Sequence, residues 1–176
     1  MRAVFEDYRA TIPGFRWSEQ RFTSLYPLHP ETLEIAPLIR LYIQEFSLLG
    51  FAADTGVKIL GRPANSLIGL DELFDGVEQR LRSSPDLAEV FSAYDELERE
   101  VIVKGPVKQR LMARLALKGL FILSLNGQGS TAAEIAAAMV IMPEEASDGG
   151  VEAILSSLAA AMPEAVERVA ERAACG

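Results

Sequence analysis

One cysteine and one histidine, Cys175 and His29, are all the thiol and imidazole in this 176-residue sequence. A lone cysteine excludes an internal disulfide and fits a reducing compartment. The two residues lie far apart and cannot supply the usual zinc ligand sets, so no metal and no cofactor is expected. Basic residues are also scarce. Lys and Arg number 17 against 25 Asp and Glu, a net charge of −8, whereas nucleic-acid binders normally rest on a basic footprint. Long apolar runs are absent too: Leu48–Ala53, Gly119–Leu125 and Ala136–Met142 fall far short of the ~20 residues that span a bilayer. Glu6 and Asp7 occupy the place where a signal peptide would carry its apolar stretch. The expectation is a cytoplasmic protein that does not enter a membrane.

What the chain does have is hydrophobic content, 49%, arranged at helical spacing. Val4, Phe5, Tyr8 and Ile12 form one stripe that stops at Pro13-Gly14. Ser18 caps a short helix that Pro27 ends. After the turn Tyr26-Pro27-Leu28-His29-Pro30, the proline at 30 opens a longer helix with Ile35, Leu38, Ile39, Tyr42, Phe46 and Leu49 on one face. Pro37 should kink it or delay its start. Gly61 to Ser66 is a loop. Asp71 caps a helix with Leu73, Phe74, Val77 and Leu81 inward. Ser84-Pro85 starts the next, whose stripe is Leu87, Val90, Phe91, Tyr94, Leu97 and Val101. Gly105-Pro106 breaks that helix and begins one running to about Leu125. Thr131, or Ser130, caps Ala132–Met139, and Thr131 with Glu134 forms a capping box. The acidic stretch Pro143–Gly150 is a loop, and Val151–Met162 is the last helix. After Pro163 both helix and strand fit the pattern, with helix favoured by propensity. The expected class is all-α: a helical bundle over 1–104 with a helical segment, 105–176, packed on it or continuous with it.

Few constellations carry chemistry. Asn126-Gly127-Gln128-Gly129-Ser130-Thr131 has the outline of a phosphate loop, but its glycines are one residue apart and no lysine precedes the hydroxyl residue. It reads as a glycine turn into a capped helix. Ser-His-Asp or Cys-His catalysis would rest on His29 alone, with no second group to name, so no catalytic residue and no enzyme activity is expected of this chain. The one basic feature is Lys104, Lys108, Arg110, Arg114 and Lys118. The last three stack at i, i+4 spacing beside Leu111, Leu115 and Ile122. That stripe is either a solvated helix edge or a contact for a phosphate, a nucleic acid or an acidic partner.

Two resemblances follow. The order of elements across Leu115–Leu158 is similar to a winged helix. The helix that would read DNA, Val151–Met162, contains Glu152 and no lysine or arginine, so such a module would bind protein rather than DNA. Phe22-Thr23-Ser24-Leu25-Tyr26-Pro27-Leu28-His29-Pro30 resembles the segment that follows the nucleotide-binding core in large bacterial P-loop ATPases, including those of phage-exclusion and other defence systems. There a Tyr-Pro-x-His-Pro turn opens a helical region. The resemblance implies a non-catalytic accessory domain, with Tyr26, Pro27, His29 and Pro30 as the contact to an adjacent ATPase core, coupling nucleotide state to a partner. The Walker motifs are missing from this chain, so ATP hydrolysis does not carry over. An exposed apolar patch is expected where a neighbour docks, with a homodimer through that patch as another use. A stand-alone winged-helix DNA-binding regulator is the alternative function.

Overall fold

The computed structural model describes residues 1–12, 14–63, 66–141 and 150–166. Among them the chain is all-α, with no strand. Helices α1 (Arg2–Thr11), α2 (Glu19–Leu25), α3 (Glu31–Tyr42), α4 (Leu48–Lys58) and α5 (Leu70–Arg82) are followed by α6 (Ala88–Leu97), α7 (Arg110–Leu123), α8 (Ala132–Ala138) and α9 (Gly150–Ala161). None is long and apolar enough to cross a membrane.

Local chemistry sets the boundaries. Ser18 accepts the N–H of Arg21 and starts α2, and Thr131 with Glu134 completes the capping box of α8. These side chains satisfy amides that have no partner inside the helix. At the other end of α8, Ile141 N–H donates to Ala136 O at 2.9 Å and Val140 N–H to Ala137 O at 3.4 Å. This is a Schellman closure with Val140 at φ 54° in the left-handed position usually given to glycine.

Several expectations are corrected. The helix after Pro30 does not run on to Leu49. Ile43 adopts an extended-side conformation at the end of α3, and Ser47 caps a new helix by accepting the N–H of Gly50 at 3.1 Å. Arg40 Nε closes the bend by donating to Phe46 O at 2.9 Å. Ile43 and Phe46 turn inward while Leu49 is left 84% exposed. Pro37 is accommodated within α3. Gly69, not Asp71, is the N-cap of α5, and Asp71 instead places its charge in the first turn, where the helix dipole favours an anion. Ser84 stands at the N-cap of a 3-10 turn, Pro85–Leu87, without a side-chain capping bond. Val90 falls on the exposed side of α6, and that helix passes into a π turn, Glu98–Ile102. The stretch from 142 to 149 and everything after Val166, including Cys175 and the choice of helix or strand, lie outside the described residues; Pro163 to Val166 form a turn.

The main core draws buried side chains from Ile35 to Leu158, so residues on both sides of Lys104 share it. At its centre Phe91 and Phe121 lie 4.6 Å apart, with Phe74 stacked on Tyr94 at 5.6 Å and edge-on to Phe121 at 5.4 Å. Full burial of each such side chain is worth roughly 1.5–3 kcal/mol. Helices α7, α8 and α9 pack on one another. A second, smaller cluster joins Phe5, Tyr8, Ile12 and Phe22 to Ala137 of α8. Phe22 is fully buried there, and Phe5, Tyr8 and Phe15 surround it at 5.7 to 5.9 Å.

Candidate functional site

The Tyr26–Pro30 turn sits between the two clusters. Its first peptide bond, Tyr26–Pro27, is cis. Leu28 forms an isolated parallel bridge with Ile68: His29 N–H donates to Ile68 O at 2.9 Å and Ile68 N–H to Pro27 O at 2.8 Å. The segment before α5 is thereby tied to the entrance of α3. His29 O in turn accepts both the hydroxyl of Thr32, at 2.7 Å, and its N–H, at 3.0 Å.

The side chain of His29 is fully buried. Nδ1 accepts the Glu31 N–H at 3.1 Å, which assigns the ring proton to Nε2. Nε2 has no acceptor in hydrogen-bonding geometry among the described residues. Loss of solvent lowers the histidine's pKa to about 4, even though the Ala137 carbonyl favours the charged form. The edge-on ring of Trp17 lies 6.5 Å away. Outside it, Arg16 stands 5.0 Å and Arg21 5.6 Å from the Trp17 ring centre. Arg16 also pairs with the buried Glu31 at 3.2 Å, and Arg21 with Glu34. Burial raises the Glu31 pKa, and the Arg16 guanidinium opposes that rise. The turn therefore acts as an internal joint. Tyr26 and Pro27 are half-buried, whereas His29 and Pro30 are inside, so the imidazole is closed off from solvent.

Arg110, Arg114 and Lys118 stand on α7 and Lys104 and Lys108 in the turns before it, and acids meet three of the five. Lys104 pairs with Glu100. Arg114 pairs with Glu98 at 2.9 Å. Lys118 pairs with Asp75 of α5, its ammonium 5.7 Å from the Phe74 ring centre. Arg110 Nε donates to Gly105 O at 3.1 Å, and Lys108 is exposed. The i, i+4 geometry is as expected; the charge along it is largely matched.

Sequence reading missed three features. Arg82 clamps α5 to α6 with a two-pronged contact to Asp95 at 2.7 and 2.9 Å. It also pairs with Glu78 at 2.8 Å and lies 4.3 Å from the Phe91 ring centre. A groove of about 350 Å³ runs between Ile102, Arg110, Met112, Ile154 and Leu158. A wider one of about 570 Å³ lies between α4 and α5, beside Phe51, Thr55, Glu72 and Asp75. Among the described residues no group of His, Cys, Asp and Glu could hold a metal ion.

The sequence from residue 1 to 172 matches the family model described as the DUF6079 second domain. The chain belongs to that family. No curated protein and no solved structure matches it. In this DUF6079 second domain the residues singled out by sequence fall into two separate places, the buried joint at 26–30 and the charge-matched edge at 104–118. Exposed apolar side chains stand around the start of α7, at Val103, Val107 and Leu111, and on α4, where Leu49 and Val57 are open with Leu60 just beyond the helix. The only sequence signal for that face was the apolar run Leu48–Ala53, which reads equally well as core.

Proposed function

We infer that this DUF6079 second domain is a non-catalytic helical interaction module of a larger protein. The observation that carries the reading is the family itself: a model described as a second domain matches residues 1–172, which supports taking the chain as one module among others. The resemblance of Phe22–Pro30 to the segment behind the nucleotide-binding core of P-loop ATPases gives the neighbour a chemistry. On this reading an ATPase core of the defence type lies beside the module, and the module passes nucleotide state on to a partner, in the cytoplasm. The joint at 26–30 supports such coupling, because it ties α2, α3 and the entrance of α5, so a push on any one is felt by the others.

The test uses the natural polypeptide that contains this chain. Amide exchange is measured across residues 1–63 with and without ATP and magnesium. The reading expects protection to change at α1–α3 on nucleotide addition, while the isolated chain shows no ATP binding by equilibrium dialysis. Identical exchange in both states would remove the coupling role, and ATP binding by the isolated chain would remove the division of labour. The alternative, a winged-helix regulator of DNA, draws on the packing of α7, α8 and α9. It is weakened by Glu98, Glu100 and Asp75, which meet Arg114, Lys104 and Lys118.

A further inference from the structure

Helix α4 buries Thr55 and leaves Leu49 and Val57 open, while its first residue, Leu48, is half-buried against the main core. Thr55 is 5% exposed, whereas Leu49, Val57 and Leu60 are 84%, 69% and 79% exposed. Leu49, Ala53 and Val57 follow at i, i+4 steps and share one side of the helix, and Leu60 stands in the turn just beyond its end at Lys58. Ala52 and Gly56 lie next to that line, and none of these six positions carries charge. Among the described residues the middle of this face is open: a Cβ built on Gly56 would meet nothing within 4 Å.

That glycine is the second observation. Its backbone is ordinary helix and the space beside it is open, so nothing among the described residues calls for glycine. Glycine is among the poorest helix formers, and its usual use within a helix is to let another backbone come close. Among the described residues no backbone makes that approach.

Size decides between occupants. The three exposed side chains present on the order of 300–400 Å² of apolar surface, the size of the largest patch on an ordinary monomer, which is often functional. This is well under the ~800 Å² per partner that holds freely diffusing molecules together. Interfaces between domains of one chain are smaller, and a tether supplies roughly millimolar effective concentration. The family description provides such a tethered neighbour. We propose that the Leu49–Ala53–Gly56–Val57 face of α4, with Leu60 just beyond it, is the docking surface for an uncharged, apolar helix of a neighbouring domain in the same polypeptide, with the two backbones in closest approach at Gly56. This rests on the multi-domain reading above and names the surface it uses.

Hydroxyl-radical footprinting of the natural polypeptide and of the 176-residue chain tests it. Labelling of Leu49 and Leu60 falls several-fold in the polypeptide, while exposed Leu111 on α7 serves as the reference. Gly56→Leu in the polypeptide returns Leu49 and Leu60 to the labelling of the isolated chain. In the isolated chain Gly56→Ala raises Tm by about 2–4 °C, as a helix glycine with open space should. Equal labelling of Leu49 and Leu60 in both proteins would overturn the docking while leaving the multi-domain reading in place. A dimer of the isolated chain in sedimentation, abolished by Gly56→Leu, would overturn it in favour of a second copy. A natural polypeptide with no further domain would bring down the multi-domain reading and this inference together.

Discussion

Nδ1 of His29 accepts the backbone N–H of Glu31 at 3.1 Å, so the start of α3 is held by an imidazole that must stay neutral to hold it. Burial keeps its pKa near 4 in the fold, against about 6.5 in an unfolded chain. A folded pKa below the unfolded one means that the unfolded state takes up the proton first. The contribution is therefore complete above about pH 6.5 and is lost as pH falls from there towards about 4, to a total of roughly 3 kcal/mol. Glu31 and Asp71, whose carboxyls burial pushes upward, act in the opposite sense and soften the loss at the acid end. Urea unfolding at pH 7.5 and pH 5 measures the slope. His29→Asn, whose Oδ1 can accept the same N–H, should flatten it, and an unchanged slope in that variant would show that His29 is not its source.

Gly119 marks where α7 and α8 touch. A Cβ there would stand 2.7 Å from Met139 Cγ and 2.9 Å from Ile135 Cγ2, closer than side chains ever sit. Gly119→Ala gains helix propensity of about 1 kcal/mol but forces two core side chains off their rotamers, which costs typically 1–3 kcal/mol. The expected net result is a lower Tm in calorimetry. A variant more stable than the parent would mean that the helices part more easily than this packing allows.

These two positions show what could be read from sequence. Helical class, the Ser18 cap and the Thr131–Glu134 box were legible because each depends on neighbours within four residues. The break between α3 and α4 was not, because Ile35 to Leu49 keeps helical spacing straight across it and masks the Ser47 cap, while the bond from Arg40 to Phe46 that closes the bend spans six residues. His29 stood out by rarity and prolines, yet its burial comes from Trp17, Ile68 and Ala137 brought in from other segments. The basic stripe had the right spacing, but no pattern within α7 could disclose Asp75, contributed by α5.

The matching of that stripe bears on nucleic acid. Arg114 and Lys118 face Glu98 and Asp75 in a protein of net charge −8, so few counterions would be released on DNA. Duplex DNA at 50 mM salt should show no mobility shift with this chain at micromolar protein. A shift that fades with added salt and is lost in Arg110→Ala with Arg114→Ala would restore the regulator reading.

Helix α8 is short, and its two ends carry unequal weight. At the start, Thr131 Oγ1 accepts the Glu134 N–H at 3.2 Å while Glu134 accepts the Thr131 N–H at 2.8 Å. Thr131→Ala removes half of that exchange and should cost about 1 kcal/mol. At the finish, Val140 is held at φ 54°, a region costing a β-branched residue roughly 1–2 kcal/mol. Its side chain is nevertheless half-buried against the aromatic cluster, which returns a similar amount. Val140→Gly trades one for the other and should change stability by less than about 1 kcal/mol. The same substitution at Val77, buried in the ordinary helix α5, has no strain to release and should cost about 3 kcal/mol or more. Denaturant unfolding of the two variants side by side settles it: equal losses would mean that Val140 stores no strain.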